Sequence, residues 1–154
     1  MSQAFVKEPE GKDFEIPPDR PISSHPNFVT RDGMAAIERE LARLDDVHAE
    51  AVRAGDRQAI AHSERDLRYW TARRASAQMV EPPSGSTRVQ FGSAVTIERD
   101  DGRTQRFRIV GEDEADPNDG TISHVAPLAR AMVGRTVGDT VAAGEQEAEI
   151  TAID

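Results

Sequence analysis

The acidic side chains between Glu112 and Asp119 are the densest group of oxygen ligands in the chain. The stretch Asp116–Gly120 has the composition of a calcium-binding loop, but it lacks the closing glutamate at the required distance. The four histidines do not have the spacing of a zinc site, and they are His25, His48, His62 and His124. No nucleophile triad and no glycine-rich phosphate loop is present. We therefore expect no resident metal or cofactor and interpret the acidic run as a solvated loop.

A second candidate is Asp56, which follows Gly55 between two segments of helical periodicity. An aspartate at such a turn either caps the next helix or contributes to a metal site, and capping is the more frequent role. The segment after it carries a row of arginines facing few acids, namely Arg57, Arg65, Arg68, Arg73 and Arg74. These arginines either contact phosphate groups of a partner or form a solvated helix face with ion pairs at i,i+4.

Composition limits the class of protein. The net charge of −9 argues against sequence-independent binding of nucleic acid, which depends on lysine and arginine. The chain has no cysteine, which excludes disulfides and thiolate sites and fits a reducing, cytoplasmic location. No apolar run reaches the ~18 residues of a membrane span, and no secretory signal is visible.

Two apolar stripes at spacings of three and four predict paired helices. Thr30 is a suitable N-cap for the first helix. The first stripe contains Met34, Ile37, Leu41, Leu44, His48 and Ala51, and the second contains Ile60, Ser63, Leu67, Trp70, Arg74 and Ala77. Because only Gly55-Asp56 separates them, they predict an antiparallel hairpin, a short coiled coil over residues 30–80. Within it we expect a partly buried His48 and Trp70 as a core anchor.

From residue 88 the apolar period changes to two, which predicts strands. We expect a first strand from Val89 to Ile97, a turn at Asp100–Gly102, and a return strand from Phe107. Further strands around residues 121–125, 137–141 and 147–153 and a short helix at 127–133 complete the pattern. The prediction is an α+β protein with a proline-rich, disordered or extended tail (1–29), the hairpin, a linker (81–87) and a β domain (88–154).

Several motifs in this order resemble the Gre (GreA/GreB) family of transcription factors. They are Arg88–Thr96, Gly111–Asp116, Ile122-Ser123, Ala126–Gly134 and Val137–Asp139, with Val29–Gly33, Glu40–Leu44 and Gly55-Asp56 upstream. The resemblance implies an FKBP-like C-terminal domain that binds the rim of the secondary channel of bacterial RNA polymerase. It implies a hairpin that enters the channel, a monomer, and a regulator that is not itself an enzyme.

In Gre factors, acidic residues at the hairpin tip help hold a Mg²⁺ of the polymerase and promote cleavage of backtracked RNA. Asp56 matches the first of these acids, but Ala59 stands at the second and Arg57 adds positive charge. The first helix, from Met34 to Ala54, would be only ~31 Å long, shorter than that of the family. Val125-Ala126-Pro127 also departs from the family pattern and resembles the Rnk branch, which has a short coiled coil and no cleavage tip. We therefore predict modulation of elongation without efficient cleavage, with a cleavage-stimulating factor as the alternative.

The resemblance also implies binding residues. The polymerase-binding residues would be Ser123, Val125, Ala126, Pro127 and Arg130, while Arg57 and Arg65 would face polymerase or the RNA 3′ end.

Prolyl isomerase activity is disfavoured, because Phe91 and Phe107 are the only aromatic residues after residue 87. A protein-interaction module that acts away from polymerase remains a further alternative.

Overall fold

Two helices joined by a two-residue turn form the first part of the computed structural model, which describes residues 14–154. Helix α1 spans Arg31–Ala54 and helix α2 spans Arg57–Ser76. The Thr30 hydroxyl accepts a hydrogen bond from the backbone N–H of Gly33, as expected of an N-cap. Gly55 ends α1 with φ of 64°, a left-handed conformation that glycine adopts without strain. The predicted hairpin is confirmed. Neither helix, nor any other helix in the described part of the chain, is long and apolar enough to cross a membrane.

The apolar stripe of α1 faces α2, but the stripe of α2 differs from the prediction at its end. Ile37, Leu44 and Ala51 are buried on α1. On α2 the predicted stripe residue Arg74 is exposed, and its neighbour Arg73 is 1% exposed. A buried arginine requires charged or hydrogen-bonding partners. Those partners come from segments distant in sequence, and the helical period therefore did not reveal them.

Residues 14–29 lie extended along α2, which is the second of the two alternatives expected for the tail. Asp19 accepts from Arg68 at 2.7 Å, and the guanidinium of Arg20 lies 3.8 Å from the centre of the Tyr69 ring. Strand β1, Phe28–Val29, pairs in parallel with β2, Gln78–Met79. The prolines keep this segment extended, and α2 provides the surface on which it packs. Residues 1–13 of the predicted tail lie outside the described residues.

A five-stranded sheet forms the second part of the chain. Its strands are β3 (Ala94–Arg99), β4 (Thr104–Val110), β5 (Thr121–Ser123), β6 (Thr140–Ala143) and β7 (Gln146–Ile153). The order is β5-β4-β3-β7-β6, with β4 and β5 parallel and the other pairs antiparallel. Helix α3, Pro127–Met132, supplies the buried residues Ala129 and Met132 to the core of this domain. The predicted α+β architecture is confirmed.

The first predicted strand is shorter than the sequence indicated. It begins at Ala94, because Gly92 has φ of 86° and the chain turns there. The Ser93 hydroxyl closes the turn by accepting from the backbone N–H of Gln90 at 3.0 Å. Val89 is buried in the core although it lies outside any strand. Its burial explains the apolar periodicity that suggested a strand.

Candidate functional site

The hairpin tip presents a single carboxylate, which is already engaged. Asp56 is the N-cap of α2, and its Oδ1 accepts from the backbone N–H of Ala59 at 3.0 Å. The guanidinium of Arg57 lies 5.0 Å from the centre of the Phe14 ring. Nowhere in residues 14–154 do three or more histidine or acidic side chains come together as a metal site. The described part of the tip therefore offers one carboxylate, and whether that carboxylate contributes to a metal held by a partner stays a prediction.

The second arginine predicted to face RNA or polymerase is engaged by a neighbour. Arg65 contacts Asp66 with both Nε and Nη2 at 3.0 Å from Oδ1, and its side chain is 25% exposed. Arg65 lies eight residues after Arg57, which is ~12 Å along a helix axis. Whether Arg57 and Arg65 contact RNA or polymerase stays a prediction. His48 Nε2 lies 3.4 Å from Glu64 Oε1 across the hairpin, and the side chain of His48 is half-buried as predicted.

The five residues predicted to bind polymerase lie in one continuous segment that runs from the last residue of β5 into α3, and we call this segment the docking turn. The backbone carbonyl of Ser123 accepts from the N–H of Ala126 at 2.9 Å, and its hydroxyl accepts from the N–H of Val125 at 3.2 Å. Pro127 occupies the first position of α3, where its missing N–H costs nothing, and it is exposed. Arg130 follows one helical turn later and is also exposed. Their role in binding stays a prediction.

His124 connects the docking turn to the base of the hairpin. Its ring packs against Phe28 and Phe91, with centroid distances of 5.4 and 5.7 Å. Burial lowers the pKa of His124, and the nearby Arg130 lowers it further, while Glu112 acts in the opposite direction. Its Nε2 is buried without a hydrogen-bond partner among the described residues. No signal in the sequence pointed to this stack, which also places Phe91 in the domain junction.

The first part of the acidic run is buried at the junction with α2, so its interpretation as a solvated loop is wrong. Asp113 Oδ2 accepts from Arg73 Nε at 2.6 Å, and Asp113 also accepts from the Tyr69 hydroxyl. Arg73 Nη2 donates to Asn27 Oδ1 at 2.8 Å, and Asn27 Nδ2 donates to the Arg73 carbonyl at 2.7 Å. Burial, followed by the Asp113 contact, raises the pKa of Tyr69 to about 12. Three segments of the chain meet at Arg73.

Glu114 makes a second contact between the loop and the hairpin. Its Oε2 accepts from the backbone N–H groups of Thr30 and Gly111, each at 3.0 Å, and its Oε1 accepts from the Thr30 hydroxyl. A Cβ at Gly33 would lie 2.1 Å from the Glu114 carboxyl carbon. The loop therefore binds the start of α1 as well as the end of α2. The later acids of the run are exposed, and Asp116 caps a short 3₁₀ turn.

Comparison with known proteins identifies the class to which this arrangement of a helical hairpin and a β domain belongs. Residues 83–154 match the family model described as "Transcription elongation factor, GreA/GreB, C-term". The chain is 31% identical to transcription elongation factor GreB of Haemophilus influenzae over 134 residues, which cover 75% of this chain and 85% of that protein. It is 32% identical to transcription elongation factor GreA of an Anaeromyxobacter species over 149 residues, which cover 81% and 90%. The chain belongs to the GreA/GreB family of transcription elongation factors.

Among solved structures, the chain is similar to GreA factor homolog 1 (Gfh1) of Thermus thermophilus. The sequence identity is 19%, the TM-score is 0.41, and the match covers 84% of this chain and 99% of that one.

Proposed function

We propose that this protein binds bacterial RNA polymerase at the rim of the secondary channel and modulates elongation without efficiently stimulating transcript cleavage. Family membership supports polymerase as the partner. The proposal that cleavage is not efficiently stimulated rests on the tip, where Asp56 is the only acid and caps α2. The protein would then act as a regulator of an enzyme and would not itself be one.

Charge at the tip supports the absence of cleavage. A weakly held Mg²⁺ needs several hard oxygen ligands around it. Asp56 offers one carboxylate, Ala59 has no side-chain oxygen, and Arg57 repels a cation at short range. Oδ1 of Asp56 already accepts from the Ala59 N–H, which leaves fewer lone pairs of this carboxylate for a metal.

The length of the hairpin supports the same conclusion. Helix α1 has 24 residues and α2 has 20, which correspond to ~36 and ~30 Å. Groups that act at a reactive centre must be placed within about 1 Å. A tip that carries one engaged acid on a short stalk is suited to occupying a channel, and poorly suited to chemistry at its end.

The test is cleavage in a stalled, backtracked elongation complex, followed as release of the RNA 3′ fragment. We expect release no faster than with polymerase alone, while a pull-down shows that polymerase is bound. Release as fast as with an acidic-tip Gre factor would refute the non-cleaving part. Absence of polymerase from the pull-down would refute the docking part and favour an interaction module that acts elsewhere. Light scattering of the free protein tests the predicted monomer.

A gain-of-function variant sharpens this test. Ala59→Glu combined with Arg57→Leu supplies the second acid and removes the opposing charge, and it should increase cleavage if length is not limiting. The matched control is Ala59→Gln with Arg57→Leu, which has the same shape without the charge. Equal cleavage by the two variants would show that carboxylate charge at position 59 does not control activity.

A further inference from the structure

We propose that the β4–β5 loop sets the direction in which the hairpin projects from the β domain, with Arg73 and Asp113 as positioning residues. We call the loop Gly111–Glu114, together with Arg73 and Thr30, the interdomain clamp. The inference rests on the proposed function, because the direction of the hairpin matters when tip and docking turn engage one polymerase together.

The clamp holds the hairpin at two separate points. Asp113 binds Arg73 in the last turn of α2, and Glu114 binds the N-cap Thr30 of α1. Each attachment alone would leave a pivot about which the hairpin could turn. Because the two lie on different helices and on adjacent loop residues, a rotation that keeps one contact breaks the other.

Little else fixes the angle between the two parts of the described chain. Neither α1 nor α2 packs broadly on a strand of the five-stranded sheet or on α3 within residues 14–154. The stack of Phe28 on Phe91 and His124 is an apolar contact across the junction, and it involves the segment before α1. The orientation therefore depends on the polar contacts of the clamp.

Because its charged side chains are buried, the clamp should be sensitive to the loss of either partner. The side chains of Arg73 and Asp113 are 2% and 10% exposed. Removing Arg73 leaves Asp113 as an uncompensated charge in a poorly solvated site. Neutralising Asp113 leaves Arg73 with only the more distant carboxylate of Glu112, 3.7 Å from Nη2. The approach is also close, because a Cβ at Gly111 would lie 2.5 Å from the carbonyl oxygen of Phe28. The junction is therefore closely packed while the clamp is intact, and loss of the clamp should widen the range of hairpin orientations.

The length of the hairpin amplifies any change at the clamp. Helix α1 has 24 residues, or ~36 Å, and a rotation of ~10° at its base moves the tip by ~6 Å. The docking turn does not move with it. A loose clamp would thus leave each half intact and change their relative placement, which lowers the fraction of molecules that can engage both sites at once.

The experiment uses spin labels, for which the absence of native cysteine is an advantage. One label pair, Gln58→Cys with Gln146→Cys, measures the distance from the tip to the β domain. A second pair, Gln58→Cys with Arg39→Cys, measures the integrity of the hairpin itself. In the otherwise unchanged protein we expect one narrow distance distribution for each pair. Arg73→Met and the isosteric Asp113→Asn should broaden the first distribution and leave the second unchanged.

The matched control is Arg74→Met, which removes the adjacent arginine and its exposed pair with Glu38. It should leave both distributions narrow. Polymerase affinity should fall about tenfold in Asp113→Asn if one orientation in ten is competent, and it should be unchanged in Arg74→Met.

A narrow tip-to-domain distance in both Arg73→Met and Asp113→Asn would overturn the inference, as would a broad distance with unchanged polymerase affinity. If the unchanged protein does not bind polymerase, the proposed function fails. The distance distributions then still decide whether the clamp sets the angle.

Discussion

Replacing Gly33 by alanine tests the clamp with a change of one methyl group. Gly33 lies in the first turn of α1, where alanine is intrinsically favoured over glycine by about 1 kcal/mol. The added Cβ would, however, lie 2.1 Å from the carboxyl carbon of Glu114. We therefore expect a destabilising substitution at a site where helix propensity alone predicts a stabilising one.

The magnitude follows from what Glu114 loses. Its carboxylate is the mobile end of a long side chain, so the clash is relieved when the carboxylate moves away. Moving it breaks the hydrogen bonds from the backbone N–H groups of Thr30 and Gly111, each 3.0 Å long. Each hydrogen bond to a charged group contributes about 1.5–3 kcal/mol, so losing both costs about 3–6 kcal/mol, of which the helix propensity of alanine offsets about 1 kcal/mol. Gly33→Ala should therefore lower the free energy of unfolding by about 2–5 kcal/mol.

The assay is urea unfolding followed by the fluorescence of Trp70, the only tryptophan, in a double-mutant cycle. In the Glu114→Ala background the obstacle is gone, and Gly33→Ala should stabilise the protein by up to about 1 kcal/mol. The change of sign between the two backgrounds is the expected result. Stabilisation by Gly33→Ala in both backgrounds would refute the contact between Glu114 and the start of α1.

Three further predictions concern the tip, the docking turn and the junction. Asp56→Ala should lower the free energy of unfolding by about 1 kcal/mol by removing the α2 cap, and Asp56→Asn, which keeps an acceptor, should not; equal urea midpoints for both would contradict the capping role. Pro127→Arg should weaken polymerase binding more than deletion of residues 1–13 does, and unchanged affinity in a titration would remove this turn from the docking surface. Because the pKa of His124 is lowered in the folded state, the unfolded chain takes up a proton first as the pH falls below about 6.5. Stability that is present above this pH should therefore be lost below it, and His124→Phe should reduce that loss in urea titrations between about pH 7 and 5. An unchanged acid dependence in this variant would contradict the lowered pKa of His124 in the folded state.

Interactions that close over a few residues could be predicted from the sequence. The hydroxyl of Thr30 reaches an N–H three residues away, and the Asp56 carboxylate does the same at the start of α2. The change of apolar period near residue 88 marked the second domain for a similar reason, since each period reflects local backbone geometry. The start of the first strand was placed too early, because the turn at Gly92 depends on a hydrogen bond between Ser93 and Gln90.

The sequence predicted some features of the candidate site and missed others. The five residues of the docking turn were grouped by resemblance, and their binding to polymerase stays a prediction. The acidic loop was misjudged, because an isolated run of carboxylates has the composition of a solvated segment. Whether such a residue is solvated depends on the cation or N–H that the fold places opposite it.

The sequence by itself determined the two helices, their turn, the β-rich domain and the single acid at the tip. The tertiary structure decided that Arg73 is buried rather than Arg74, and that residues 14–29 line α2. It also decided that Asp113 and Glu114 join the two domains. The reason is separation along the chain: the Arg73–Asp113 contact spans 40 residues and the Thr30–Glu114 contact spans 84. No local period or propensity encodes a partner at such a distance, and only the packed chain brings the charges together.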